Sequence, residues 1–204
     1  MQLRHETGLT SEAYLAERAW EKASVPRCPR HPAGGCGFAR HGTYPRKTPP
    51  GMRVVRYYCP TAHETFSLLP DCLASRFPSD LDDLERVVRQ VATSRSVEAA
   101  ADVLRPDIEL PSAVRWIRRR LTAVRASLVL VAGLLGVAIG DATLAAFRAA
   151  WDTERVLATV RTHAASQLPR LPPPLGFGPR ARRRPARVTR RQHAMGPDRA
   201  GPSG

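Results

Sequence analysis

A mainly α chain is predicted, with one small β ribbon, a bundle of short helices behind it and a disordered basic tail. Three observations predict this. Cysteines and histidines cluster in a Gly- and Pro-rich stretch, residues 28–70. Helical spacing of apolar residues begins near Ser79 and runs for about ninety positions. From Pro169 onward Pro, Gly and Arg dominate, with too few apolar side chains to offset the entropy of ordering. The expected segments are a lead-in over 1–26, the ribbon over 27–78, helices over 79–168 and the tail over 169–204.

In the lead-in, Thr10 and Ser11 can cap a short helix whose partial apolar face is Tyr14, Leu15, Ala19 and Trp20. No secretory leader is visible, so a reducing, cytoplasmic setting is expected. There the four cysteines, Cys28, Cys36, Cys59 and Cys72, are better read as metal ligands than as disulfides. Two strands are expected in the ribbon, over 38–44 and 53–58, joined by the turn PRKTPPG; an apolar strand, FSLLP, follows.

Two ligand-bearing turns flanking a hairpin meet the needs of a zinc ribbon, because zinc takes four nitrogen or sulfur donors in a tetrahedron. Cys59 and His63 form the second turn. The first offers Cys28, His31 and Cys36; Cys28 and Cys36 are preferred, and His31 is the rival for the fourth position, having the common two-residue spacing from Cys28. Four protein donors leave no open position, so the Zn2+ is expected to be structural. Cys72, beyond the apolar strand, reads as a buried small residue.

The helices follow. SDLDDLERVVRQVATS has Ser79 as cap and Asp82 three residues on, with Leu81, Leu84, Val88 and Val91 at helical spacing. SVEAAADVL makes a second helix. A third begins at Ser112, with Val114, Ile117, Leu121, Val124 and Leu128 as its stripe. Residues 126–140 are nearly all apolar, but a membrane span needs about 20 such residues; a buried core helix is expected, with Asp141 capping the next one through Trp151. Asp152 or Thr153 caps a last helix ending near Gln167.

The net charge is +14, carried almost wholly by arginine; Lys22 and Lys47 are the only lysines. Such a balance favours polyanions. On the third helix Arg115, Arg118, Arg119 and Arg125 lie off the apolar stripe, with no acid between Ser112 and Leu128. That basic face suits phosphates and base edges of duplex DNA; RNA satisfies the charge equally. Arg40, Arg46 and Lys47 on the ribbon would add phosphate attraction. The connection RPDIELP is longer than a standard helix-turn-helix allows. Past Leu128 the acids are Asp141, Asp152, Glu154 and Asp198, too few and too scattered for a two-metal nuclease, so a non-catalytic protein is expected. The apolar run past Leu128 offers a surface for a protein partner or a second copy.

CPRHPAGGCGFARHGTYPRK followed by RYYCPTAHETFSLLPD resembles the N-terminal zinc ribbon of bacterial insertion-sequence transposases, and is similar to a transposon-associated zinc-ribbon family. The matching residues are Cys28 and Pro29; His41, Gly42, Tyr44 and Arg46; Cys59; and Thr65, Phe66, Ser67, Leu69 and Pro70. Ala62 stands where a cysteine is usual, and the first knuckle is stretched. The resemblance covers about a fifth of the chain closely and extends loosely to Leu128. It implies a zinc ribbon before a helix-turn-helix over 79–128 that reads transposon-end DNA, in a cytoplasmic, nucleoid-associated protein.

Overall fold

The computed structural model describes residues 1–136 and 139–178. Four strands form one mixed sheet: β1 (Gln2–His5), β2 (Ala39–Pro45), β3 (Arg53–Cys59) and β4 (Glu64–Pro70), in the order β1-β4-β3-β2. β2, β3 and β4 run antiparallel, and β1 lies parallel to β4 with Gln2 beside Ser67 and His5 beside Pro70. Among the described residues there are six α-helices: α1 (Ser11–Ala16), α2 (Leu81–Thr93), α3 (Val97–Leu104), α4 (Leu110–Leu135), α5 (Leu144–Trp151) and α6 (Val156–His163).

This corrects the expectation of a mainly α chain with a small ribbon. The sheet is a full layer with its own core, and the lead-in belongs to it. Tyr14, Trp20 and Met52 pack with Val54, Val55, Phe66 and Leu68. β1 escaped the sequence reading because QLRH is polar and short. It becomes a strand only through β4, sixty-five positions away, and Arg4 then reaches Asp71 at 2.8 Å.

Local chemistry explains the helix ends. The Thr10 hydroxyl accepts the Ala13 amide and starts α1. Asp80, not Ser79, caps α2 by accepting the Asp83 amide at 2.7 Å; Ser96 caps α3 and Thr143, rather than Asp141, caps α5. Asp152 instead closes α5 in a left-handed conformation. α4 starts at Leu110, with Pro111 in the first turn where its missing amide costs nothing. It runs unbroken to the left-handed Gly136, so the two expected helices are one. Val129, Leu130 and Leu134 on its last turns are exposed rather than core, and no described helix is long and apolar enough to cross a membrane.

Two further cores lie in the helical layer. α2, α3 and the first half of α4 enclose Val87, Ala100, Ala101, Ala113 and Ile117. α2, the second half of α4, α5 and α6 enclose Val124, Leu128, Phe147, Val156 and Leu157. Residues 169–178, expected in the disordered tail, close this second core with Leu171 and Leu175; the rest of that expected tail lies outside the described residues. The segment folds back on itself, the Gly176 amide donating to Pro172 and the Gly178 amide to Leu171. Fully buried Arg161 ties this segment to the sheet. Its guanidinium donates to the carbonyls of Asp71, Leu73, Pro174 and Leu175 at 2.7–3.0 Å. Burial brings its pKa down to about 10, and the four carbonyls supply the partners a buried cation requires.

Candidate metal centre

The site is built from two loops brought together by β3. The first follows α1 and holds Cys28, His31 and Cys36. The His31 amide donates to the Cys28 carbonyl and the Gly34 amide to that of His31, making two successive turns. Gly34 and Gly35 then take positive φ, which lets the chain reverse and return Cys36 to the site. The second loop begins at Cys59, the last residue of β3. The Ala62 amide donates to the Cys59 sulfur at 3.4 Å, and the Thr61 hydroxyl donates to the Cys36 carbonyl across the gap. Gly37 meets Pro60 where the loops touch; a Cβ there would lie 3.1 Å from the proline ring, and the backbone is left-handed besides.

Cys28, His31, Cys36 and Cys59 converge, with all four ligand atoms within 4.8 Å of one another. His31 Nδ1 lies 3.6 Å from Cys28 Sγ and 3.4 Å from Cys59 Sγ. In a tetrahedral zinc site with the usual Zn–S and Zn–N bond lengths, that edge is about 3.6 Å. The three cysteines are buried free thiols and His31 is half-buried. Four soft or borderline donors at this spacing can hold a metal ion. Burial pushes the Cys28 thiol up, but hydrogen bonds from the His31 side chain and from the amides of Arg30 and His31 outweigh it and bring it down to about 7. Burial raises that of Cys36.

His63, expected as the second donor of the Cys59 turn, is not in this set, while Cys36 and His31, rivals in the sequence for one position, both are. His63 takes a φ of +49°, and its exposed ring lies 3.4 Å from the Tyr58 hydroxyl. His31 takes the fourth position, at the two-residue spacing that had made it the rival. Cys72 stands apart, buried in the sheet core, its thiol pushed up to about 11 by burial.

The basic residues divide by what they touch. Arg115, Arg118 and Arg119 are exposed on α4, along a groove of about 600 Å³ walled by Pro172 and Pro173. Arg118 reaches one acid, Glu98, at 3.9 Å. Arg125 is exposed on the rim of a different cleft, between α2, α4 and α5. Arg46 is not a free surface cation: it is half-buried and donates to the carbonyls of Ala74, Phe77 and Ser79, joining the β2–β3 turn to the start of α2. Arg40 has donors occupied by the Trp20 and Glu21 carbonyls. Lys47 is exposed. Arg120 is buried and stacks 3.6 Å over Trp116, and burial together with Arg105 and Arg119 lowers its pKa to about 10.

Compared with protein-family models, with curated proteins and with solved structures, the chain matches none.

Proposed function

We propose that this chain is a zinc-stabilised, non-catalytic DNA-binding protein. The Cys28–His31–Cys36–Cys59 cluster holds a structural Zn2+, and Arg115, Arg118 and Arg119 engage duplex DNA. The observation that carries this reading is the basic face of α4. Three neighbouring arginines project from one end of a rigid helix, that helix sits on a three-helix core with α2 and α3, and Glu98 is the one acid within ion-pair distance among the described residues. Zinc is favoured over other ions by the Cys3His donor set, which closes the coordination shell and leaves no position for a reacting water. The resemblance of residues 28–70 to transposase zinc ribbons points the same way.

Fluorescence anisotropy with duplexes selected from a random pool tests the DNA contact. Replacing Arg118 and Arg119 together by Ala should weaken binding by about 1–3 kcal/mol for each arginine that reads a base, and flatten the salt dependence if either contacts phosphate. Unchanged affinity sinks the assignment to α4. A second reading, a protein-interaction adaptor, is favoured by exposed Val129, Leu130 and Leu134. An apolar interface there would hold at salt concentrations that release DNA.

A further inference from the structure

The cleft between α2, α4 and α5 has a volume of about 460 Å³, within the ordinary range of roughly 300–1,000 Å³ for small-molecule sites. Its floor is aliphatic: Val88 and Val91 from α2, Leu121, Val124 and Leu128 from α4, and Leu144 from α5. Its rim carries Arg89, Arg125 and Arg148, one from each helix, and no acid lines it among the described residues. The acids that touch these arginines approach from outside. Glu85 lies 3.4 Å from Arg89 but is buried and already accepts the Leu157 amide at 2.6 Å. Glu154 reaches Arg148 at 3.3 Å from a largely exposed position. Arg125 makes no ion pair among the described residues.

An apolar floor beneath three cations is complementary to a ligand with a hydrocarbon body and one anionic end. We propose that this cleft binds a small aliphatic monocarboxylate, with its chain on Leu121, Val124 and Leu128 and its carboxylate held by Arg125 and Arg148. The guanidinium fork pairs with a carboxylate through two parallel hydrogen bonds, and the exposed Glu154 is displaced from Arg148 at little cost. The site does not depend on DNA binding, because its arginines are not those of the groove beside Pro172 and Pro173.

Isothermal titration of the whole 204-residue chain with octanoate, octan-1-ol and acetate tests the assignment. Octanoate should bind one per chain with a Kd of about 1 mM or tighter, and octanol and acetate at least about tenfold more weakly. Replacing Arg125 and Arg148 together by Gln should weaken octanoate about tenfold and leave octanol unchanged. Ala145→Leu adds bulk at the exposed mouth without touching the core and should weaken both. Circular dichroism melts confirm that each variant is folded. Absence of saturable octanoate binding overturns the proposal. So does octanoate binding no tighter than octanol, or affinity indifferent to both the arginine pair and Ala145→Leu.

Discussion

At Cys59 a buried thiol accepts the Ala62 amide and stands 3.4 Å from the imidazole of His31. A residue in that position acts through one atom, so its replacement separates ligation from packing. Cys59→Ser and His31→Ala should each reduce zinc affinity by more than about 100-fold, since even partners that merely orient a ligand cost 10–100-fold. His63→Ala should leave one zinc per chain, because its ring faces Tyr58 and solvent. Native mass spectrometry reads the stoichiometry in all three variants. Loss of the ion from His63→Ala would contradict the donor set. Glu85 offers a residue-scale effect of another kind. Burial holds its carboxyl above the ordinary value of 4.5, and the Leu157 amide and Arg89 reverse this only in part. The folded state therefore binds the proton more tightly than the unfolded chain. Stability falls as pH rises above 4.5 through the raised value, and the penalty persists at neutral pH. Glu85→Gln keeps an acceptor for the Leu157 amide and removes the buried charge. It should melt higher than the parent at pH 7, with the gap closing by about pH 4 in thermal melts taken across the range.

At the scale of elements, the closing segment 169–178 behaves as a plug. Leu171 and Leu175 are fully buried, Ser75 donates to the Gly176 carbonyl, and Arg161 holds the carbonyls of Pro174 and Leu175. The fold-back leaves no room at Gly176, where a Cβ would lie 2.2 Å from the Leu171 carbonyl oxygen. Backbone cannot yield as a flexible side chain does. Gly176→Ala should cost about 1–3 kcal/mol or more, seen as a lower denaturation midpoint and faster proteolysis of this segment. Ala at Gly133, on the open side of α4 with nothing within 4 Å among the described residues, is the matched control and should be neutral or stabilising.

Across the whole molecule the metal loops and the helical layer are linked by arginines on carbonyls. Arg46 ties the β2–β3 turn to α2, and Arg161 ties the end of β4 to the plug. The loops over 23–37 contain few aliphatics, whereas a structural zinc contributes on the order of 10–16 kcal/mol of binding energy coupled to folding. On the proposed zinc reading, stripping the ion with a chelator should lower the melting temperature by roughly 10 °C or more. Hydrogen exchange should show protection lost first at the loops bearing Cys28 and Cys36 and along β2 and β3. The cores of α2, α4 and α6 should follow only at higher temperature. Simultaneous loss everywhere would mean that the arginine links make one cooperative unit.

Features whose causes lie within a few residues were legible in the sequence: the α1 cap at Thr10, the strands over 39–45 and 53–59, the apolar stripe of α4, and the ligand-bearing turns at Cys28–Cys36 and at Cys59. Each follows from turn chemistry or periodicity, which local spacing encodes. Tertiary structure decided the rest. β1 exists because β4 offers it an edge; His31 completes the cluster because the fold brings its ring to Cys59, 28 residues away, while His63 lies outside it; and the Pro-rich 169–178 is core because Arg161, buried under four carbonyls, holds it there. Those outcomes depend on groups far apart in the chain, whose pairing free energy no local pattern records.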